Sequence, residues 1–540
     1  METLISTRKQ SWLIWFLRGI LLLISLVLFG RLFELTIIRG AYFHTLSEEN
    51  RIRRIPIEAP RGNILARGGE ILVGNQKIAS EDIDKRPSVT DKPIITQWKR
   101  FYPLGKGFAH AGGYLGEVSE SELGKVEGRC PEKGPRILGS FIGRSGLEEE
   151  YDCALSGIDG EELVETDAGG QYAHILGQRN PKVGEDLHTS IDFGLQKKIS
   201  ELIKDKKGAI VATDLQGEIL ALASSPSFDP NVFVDNAKNA EKLKYLADSN
   251  LPLFNRSIGG IFHPGSVFKP LVALASLEEG AIDDKFEFVD EGQITIRSIY
   301  GNYAYKNWYF TQYGGVEGKI NLKKALGRST DTFFYKVGEL TGIDALVKWS
   351  EKFGLNKKTG VDIPGEVEGL VPSPEWKLKI KGERWFLGNT YHMSIGQGDL
   401  AVTPLALNSV ISAIANDGKL CTPRFVGQPT CLDLKVDSTN INLIIEGMKS
   451  VCSSGGTGYT FFDFQEKTGI EVACKTGTAE NESGEPHAWF TVFAPAKDPD
   501  IVVTILIENG GEGSKVAGPI AREIFNYWFK VDVTPTPTIK

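Results

Sequence analysis

From Ser11 to Gly30 the chain reads SWLIWFLRGILLLISLVLFG, an apolar run interrupted only by Arg18. That is about the 20 residues a helix needs to cross a bilayer. A signal peptide would have a shorter apolar core, and no small-x-small cleavage site follows, so a retained anchor over 11–31 is the reading. Residues 40–185 mix charged stretches with short alternating runs such as EELVETDAGGQYAHIL, the pattern of a small β-rich module. From residue 186 the pattern sharpens. GAIVATD (208–214) and EILALASS (218–225) are β-rich runs joined as a hairpin, and IEVACKTGT (470–478), HAWFTVFAP (487–495) and DIVVTILIEN (500–509) are further strands at hairpin spacing. An amphipathic helix, VAGPIAREIFNYWFK (516–530), closes the series. The sequence between the two strand groups has helical periodicity. Strands from both ends of a domain around a helical middle predict an α+β fold over 186–531, with its site between sheet and helices.

Composition narrows this picture without redirecting it. The chain has 540 residues, 41% hydrophobic and 24% charged, with a net charge of −8. That is a globular balance which gives no reason to expect nucleic-acid binding. The Thr-Pro stretch at 532–540 is expected to be disordered. Arg8 and Lys9 precede the anchor, but Arg31, Arg39, Arg51, Arg53 and Arg54 follow it, so charge does not set its orientation. Six cysteines form no C-x-x-C pair and have no histidine cluster beside them, which argues against a zinc site. Cys130 with Cys153, or Cys421 with Cys431, can pair in an oxidising compartment; free buried thiols are the alternative.

Three short motifs carry the chemistry. About two Ser-x-x-Lys pairs are expected by chance in a chain this long, and two occur: Ser6 to Lys9, before the anchor, and Ser266-Val267-Phe268-Lys269. Only the second has a context. Pro264-Gly265 turns the chain, and Pro270 is tolerated in a helix near its first turn, so a helix is predicted to begin at or beside Ser266. Spacing of three puts Lys269 on the face of Ser266. Lys269 can act as a base for that hydroxyl if burial or nearby positive charge lowers its pKa. Lys-Thr-Gly occurs at 358–360, 467–469 and 475–477. Only Lys475-Thr476-Gly477 is predicted to end a strand, where a glycine permits close approach and the lysine and hydroxyls offer a carboxylate-binding edge. Alternation sends Cys474 to the opposite face, as a core residue. Ser329-Thr330-Asp331 precedes an apolar helical run and, alone, reads as a helix cap.

In the order Ser266, Ser329, Lys475, the set resembles the penicillin-binding proteins, serine D,D-transpeptidases marked by S-x-x-K, S-D-N and K-T-G motifs. NRSIGGIFHPGSVFKP, SIGQGDLAVTPLALN, CKTGTAE, HAWFTVFAPA and IENGGEGSKVAGPIAREI look like the class B, penicillin-binding protein 2 (cell-elongation) group. LSEENRIRRIPIEAPRGNIL and GRSGLEEEYDCALSGIDGEELVETDAGG resemble that group's non-catalytic pedestal. The resemblance implies the penicillin-binding transpeptidase fold, a five-stranded antiparallel sheet flanked by helices. It implies a cytoplasmic tail over 1–10, one transmembrane helix over 11–31, a dimerisation-type pedestal over 40–185 and an extracytoplasmic catalytic domain over 186–531. It makes Ser266 the nucleophile and Lys269 its base, with Ser329, Asp331 and Lys475 completing the catalytic group. Thr476, Gly477 and Thr478 would bind substrate, and the N–H groups of Ser266 and Thr478 would form the oxyanion hole. The implied ligands are D-Ala-D-Ala stem peptides of peptidoglycan and β-lactams. The implied partners are the cytoplasmic membrane and a polytopic membrane glycosyltransferase. No metal or organic cofactor is called for.

The chain departs from the group's pattern at three places: Asp331 stands where Asn is common, Cys474 where Gly is usual, and the stretch between VGN (73–75) and FYPLGKGFAHAGGYLG (101–116) is short for a head region. Alternatives with the same motifs are a division-type transpeptidase, a β-lactamase and a catalytically silent penicillin-binding scaffold or sensor. The anchor and pedestal argue against the β-lactamase, and the presence of all three motifs argues against the silent scaffold. A glycosyltransferase within the same chain is disfavoured, because the segment between anchor and catalytic domain looks like pedestal.

Overall fold

A computed structural model describes residues 12–78, 97–126, 128–166, 172–299, 301–481 and 484–531. The tails over 1–10 and 532–540, the Ser6–Lys9 pair and most of the short head stretch lie outside these residues. Helix α1 (Trp12–Phe33) runs past the predicted end at 31 and continues as a π-helical turn, Glu34–Ile38. The apolar span Trp12–Ile38 has no buried residue, which suits a lipid-facing helix. Glu34 at its end pairs with Arg31 and Arg39 on either side.

The chain forms two compact units. One comprises 1–60, 77–98 and 158–183, and its sheet has the order β1-β2-β3, from β1 (Ile52–Ile57), β2 (Gly160–Thr166) and β3 (Tyr172–Arg179). Strand β2 alternates strictly between buried and partly exposed positions, as a sheet with one wet face should. The other unit comprises 61–76, 99–157 and 184–540, so two segments of the 40–185 stretch fold with the C-terminal residues.

The second unit is organised on five antiparallel strands: β4 (Gly208–Thr213), β5 (Ile219–Ser225), β6 (Ala473–Asn481), β7 (Gly484–Ala494) and β8 (Ile501–Ile507), in the order β5-β4-β8-β7-β6. Both faces are covered, which is why β4, β5 and β8 read as unbroken apolar runs. On one face pack Leu195, Ile199 and Ile203 of helix α2 (Phe193–Ile203) and Ile520, Ile524 and Phe525 of the last helix. On the other face lie α3 (Lys269–Glu278), α4 (Leu322–Arg328), α5 (Asp331–Thr341), α6 (Pro404–Ala415) and α7 (Ser438–Val451). The last helix, α8 (Gly513–Trp528), starts earlier than its apolar periodicity predicts. Strand β6 is the sheet's edge on the side of these helices, and it begins at Ala473, not Ile470. The Lys-Thr-Gly motif therefore lies inside the strand, at its third to fifth residues, and not, as predicted, at its end.

All six cysteines are paired: Cys130–Cys153, Cys421–Cys431 and Cys452–Cys474. The first two are the pairs the sequence allowed. The third is a pair the spacing did not suggest, while Cys474 lies in the core as expected. It is buried on the face opposite Lys475, as alternation requires, but joined to the end of α7.

Candidate active site

Ser266 sits on a 3-10 turn, Gly265–Phe268, that passes directly into α3, with Pro270 in the first turn of the helix. The turn is held from two sides: Gly265 N donates to Gly396 O at 2.8 Å, and Trp489 Nε1 of β7 donates to His263 O at 2.9 Å. Strand β6 runs close alongside. A Cβ at Gly477 would stand 3.0 Å from Val267 Cγ1 and 3.2 Å from Pro264 O, tighter than ordinary contact, so glycine eases the close approach of the strand to the Ser266 turn.

Ser329 lies where α4 ends and α5 has not begun. It adopts a left-handed backbone, φ 55°, a conformation that costs a non-glycine residue about 1–3 kcal/mol. The turn directs both its oxygens at the lysines. Lys269 Nζ donates to Ser329 O at 2.8 Å, to Ser329 Oγ at 3.3 Å and to Asp331 Oδ1 at 2.7 Å. Lys475 Nζ donates to Ser329 Oγ at 2.9 Å and to Thr476 O at 3.0 Å. Because both lysines donate to Ser329 Oγ, neither engages that hydroxyl's own proton. The group thus joins α3, the α4–α5 turn and β6 in one cluster. None of these bonds from Lys269 goes to Ser266. The three acceptors around its Nζ match the three protons of an ammonium.

Lys269 and Lys475 are fully buried, with Phe334 beneath Lys269 at 5.2 Å. Burial pulls the Lys269 pKa down from the ordinary lysine value, against the pull of the Asp331 carboxylate in the other direction. Lys475 is pushed well below the ordinary value by burial and then by the Lys269 charge, with Asp331 offsetting part of this. Two amines therefore share one carboxylate in a low-dielectric pocket, and a ligand bringing a second negative charge would complete the balance.

Asp331 is itself positioned by residues that no motif marked. Trp308 N donates to its Oδ2 at 3.0 Å, and Asn307 Oδ1 accepts from its backbone N–H at 3.1 Å. Asn307 in turn donates to buried Asp290. Thr457, in the Gly-rich loop after α7, places its hydroxyl 2.8 Å from that of Thr476. The KNW and GGTG stretches are polar interruptions of apolar sequence, but nothing in their spacing ties them to Ser266 or Lys475. Thr478 and Glu480 are exposed along the free edge of β6. The other Lys-Thr-Gly copies have local explanations. Thr359 and Gly360 bond buried Glu366 in a turn, and Gly469 is the left-handed C-cap of the helix Phe464–Thr468.

Residues 208–526 match the family described as the penicillin binding protein transpeptidase domain, and 80–189 match the penicillin-binding protein dimerisation domain. A protein of Acinetobacter baumannii named peptidoglycan D,D-transpeptidase MrdA is 32% identical, the match covering 95% of this chain and 87% of that one. Among solved structures, a complex between penicillin-binding protein 2 and MreC from Helicobacter pylori aligns with TM-score 0.75 at 28% identity, over 89% of this chain and 99% of that one. A structure described as coordinating polymerization and crosslinking by a peptidoglycan synthase complex aligns with TM-score 0.76 at 25% identity, over 96% and 99%.

Proposed function

The chain belongs to the penicillin-binding protein transpeptidase family, and from that premise we propose that Ser266 is the acylated serine of an elongation-type peptidoglycan D,D-transpeptidase. The observation that carries this reading is the single cluster in which Lys269, Ser329, Asp331 and Lys475 are hydrogen-bonded beside the Ser266 turn. Sequence-remote residues with no structural need to meet do so in a buried, partly unbalanced pocket, which is the signature of a site built for proton transfer.

The stem peptide's terminal carboxylate is bound by Lys475, Thr476 and Thr478, with Gly477 keeping the strand edge flat. Ser266 Oγ attacks the carbonyl of the penultimate D-Ala while Lys269, having released one proton, takes the serine's. The N–H groups of Ser266 and Thr478 stabilise the oxyanion, and each such donor is worth about 3 kcal/mol of barrier. Collapse breaks the peptide bond, and the departing D-Ala nitrogen takes its proton through Ser329, whose neighbours Lys269 and Lys475 can resupply it. An amine from a second stem peptide then attacks the ester, forming the cross-link and returning the proton to Ser266. Asp331 holds Lys269 in place throughout. A β-lactam enters by the first half of this sequence and stays attached. The residues themselves supply base, acid and electrophilic donors at every step.

The same reading assigns 11–31 to a single membrane anchor with the tail 1–10 in the cytoplasm, 40–185 to a non-catalytic pedestal and 186–531 to an extracytoplasmic catalytic domain. The partners proposed are a protein of the MreC kind and a polymerising, polytopic membrane glycosyltransferase. Full sequence-length similarity to MrdA proteins favours the elongation role over the division one. The test is incubation of the detergent-solubilised protein with a fluorescent penicillin, beside Ser266→Ala. Label is expected on the unaltered chain alone; equal labelling of both would remove Ser266 from the role.

A further inference from the structure

Between α7 and the next helical turn runs Cys452-Ser453-Ser454-Gly455-Gly456-Thr457-Gly458, a loop that belongs to none of the three motifs. It is tied down along its length. Cys452 is joined to Cys474, the residue immediately before Lys475. Arg328 Nη1, one residue before Ser329, donates to Gly455 O at 3.0 Å, and Thr457 N donates to Gly327 O at 3.1 Å. Gly458 N donates to Val451 O, and a Cβ at Gly458 would stand 2.7 Å from Cys474 Sγ, so the loop lies directly on the disulfide. The result places Thr457 Oγ1 2.8 Å from Thr476 Oγ1, at the strand edge that the functional reading gives to the substrate carboxylate.

A hydroxyl has one proton to give. If Thr476 spends its proton on Thr457, it faces an anionic ligand with lone pairs and repels it. If Thr457 donates to Thr476, the Thr476 proton is free for the ligand, and the first bond polarises the second. We propose that Thr457 is a positioning residue of the carboxylate subsite, donating to Thr476 Oγ1 so that Thr476 donates to the ligand, and that the Cys452–Cys474 bridge holds it there. This rests on the reading of the 475–478 edge as a carboxylate site. The chemical class recognised is a carboxylate borne next to a serine-reactive carbonyl, as in a peptide C-terminus or a penicillin.

The test compares acylation rate constants of the full chain in detergent with a penicillin and with its methyl ester, which lacks the charge at this subsite and carries an added methyl group there. Thr457→Val keeps the shape and removes the donor. It should lower the acid-to-ester preference by about twofold to fourfold, the part of the Thr476–carboxylate bond that a polarising neighbour supplies, with the acid rate falling more than the ester rate. Thr457→Ser should restore the preference. The double variant Cys452→Ala with Cys474→Ala should lose preference in the same sense. An unchanged ratio in Thr457→Val, or an equal fall in both rates that Ser does not rescue, overturns the proposal. An unchanged ratio in the double cysteine variant overturns the part assigned to the disulfide. If the unaltered chain is not labelled by the acid at all, the transpeptidase reading itself has failed, and this subsite falls with it.

Discussion

The cluster around Glu148 and the cluster around Asp331 both bury more basic groups than carboxylates, yet they are built for different ends. In the first, Arg61 reaches Glu148 and Asp152 at 2.9 Å each, Arg100 Nε meets Glu148 at 2.6 Å and Arg136 meets Asp152 at 2.8 Å. Burial lowers the Arg61 pKa, but the two carboxylates more than offset it, and the net direction is up. In the second, burial outweighs Asp331, and the net direction for Lys269 is down. Guanidinium keeps its proton at any accessible pH and forks onto carboxylates in fixed geometry; an amine yields its proton when desolvated. The arginine cluster is therefore a brace that locks 61–76 to 99–157, and the lysine cluster is one in which burial favours release of a proton. The choice of base, more than the amount of buried charge, separates scaffold from chemistry.

Three substitutions press on this contrast. Lys269→Arg turns the second cluster into the first kind. It keeps the charge and the partner but removes the base, so penicillin acylation should fall by about a thousandfold, within the usual range for general-base loss. Stopped-flow or gel-based labelling would read this, and near-normal acylation would refute Lys269 as base. Glu148→Ala leaves Arg61 and Arg100 buried without their shared partner. It should cost about 3–5 kcal/mol of stability, seen as a lowered denaturant midpoint; a midpoint unmoved from that of the unaltered chain would show the brace to be ornamental. Asp331→Asn should give the smallest effect, a shift in pH dependence. The carboxylate raises the Lys269 pKa, so its removal lowers it further. The acid limb of the acylation profile, which reports the base losing its proton, should then move to lower pH. A limb that stays or moves upward would show that Asp331 does not set the proton affinity of Lys269.

Much of this was legible in the chain itself, and the gaps have physical causes. Strands β4, β5, β7 and β8 announce themselves because both faces of their sheet are buried, and the Ser266, Ser329 and Lys475 motifs meet as their order implied. The start of β6 was misjudged because Ile470 and Val472 are apolar for packing reasons while their backbone is not yet paired. Thr457, Asn307 and Trp308 gave no signal, since each acts through a contact with a residue far along the chain. The Cys452–Cys474 pair was invisible for the same reason: it joins a helix end to a strand start across an intervening loop and a short helix. The arginine brace went unremarked because Arg61, Arg100 and Glu148 are ordinary surface types until folding encloses them.

The catalytic sheet takes β4 and β5 from one end of its domain and β6, β7 and β8 from the other, with the whole helical middle between them. A ribosome therefore delivers Ser266 and Lys269 long before it delivers Lys475. While residues 267–472 are being made, the chain carries Ser266 with no β6 edge beside it. A chain cut short anywhere ahead of β6 is left with β4 as an open edge and with Ser266 lacking the 475–478 edge, so the proposed site is complete only with the closing stretch of the polypeptide.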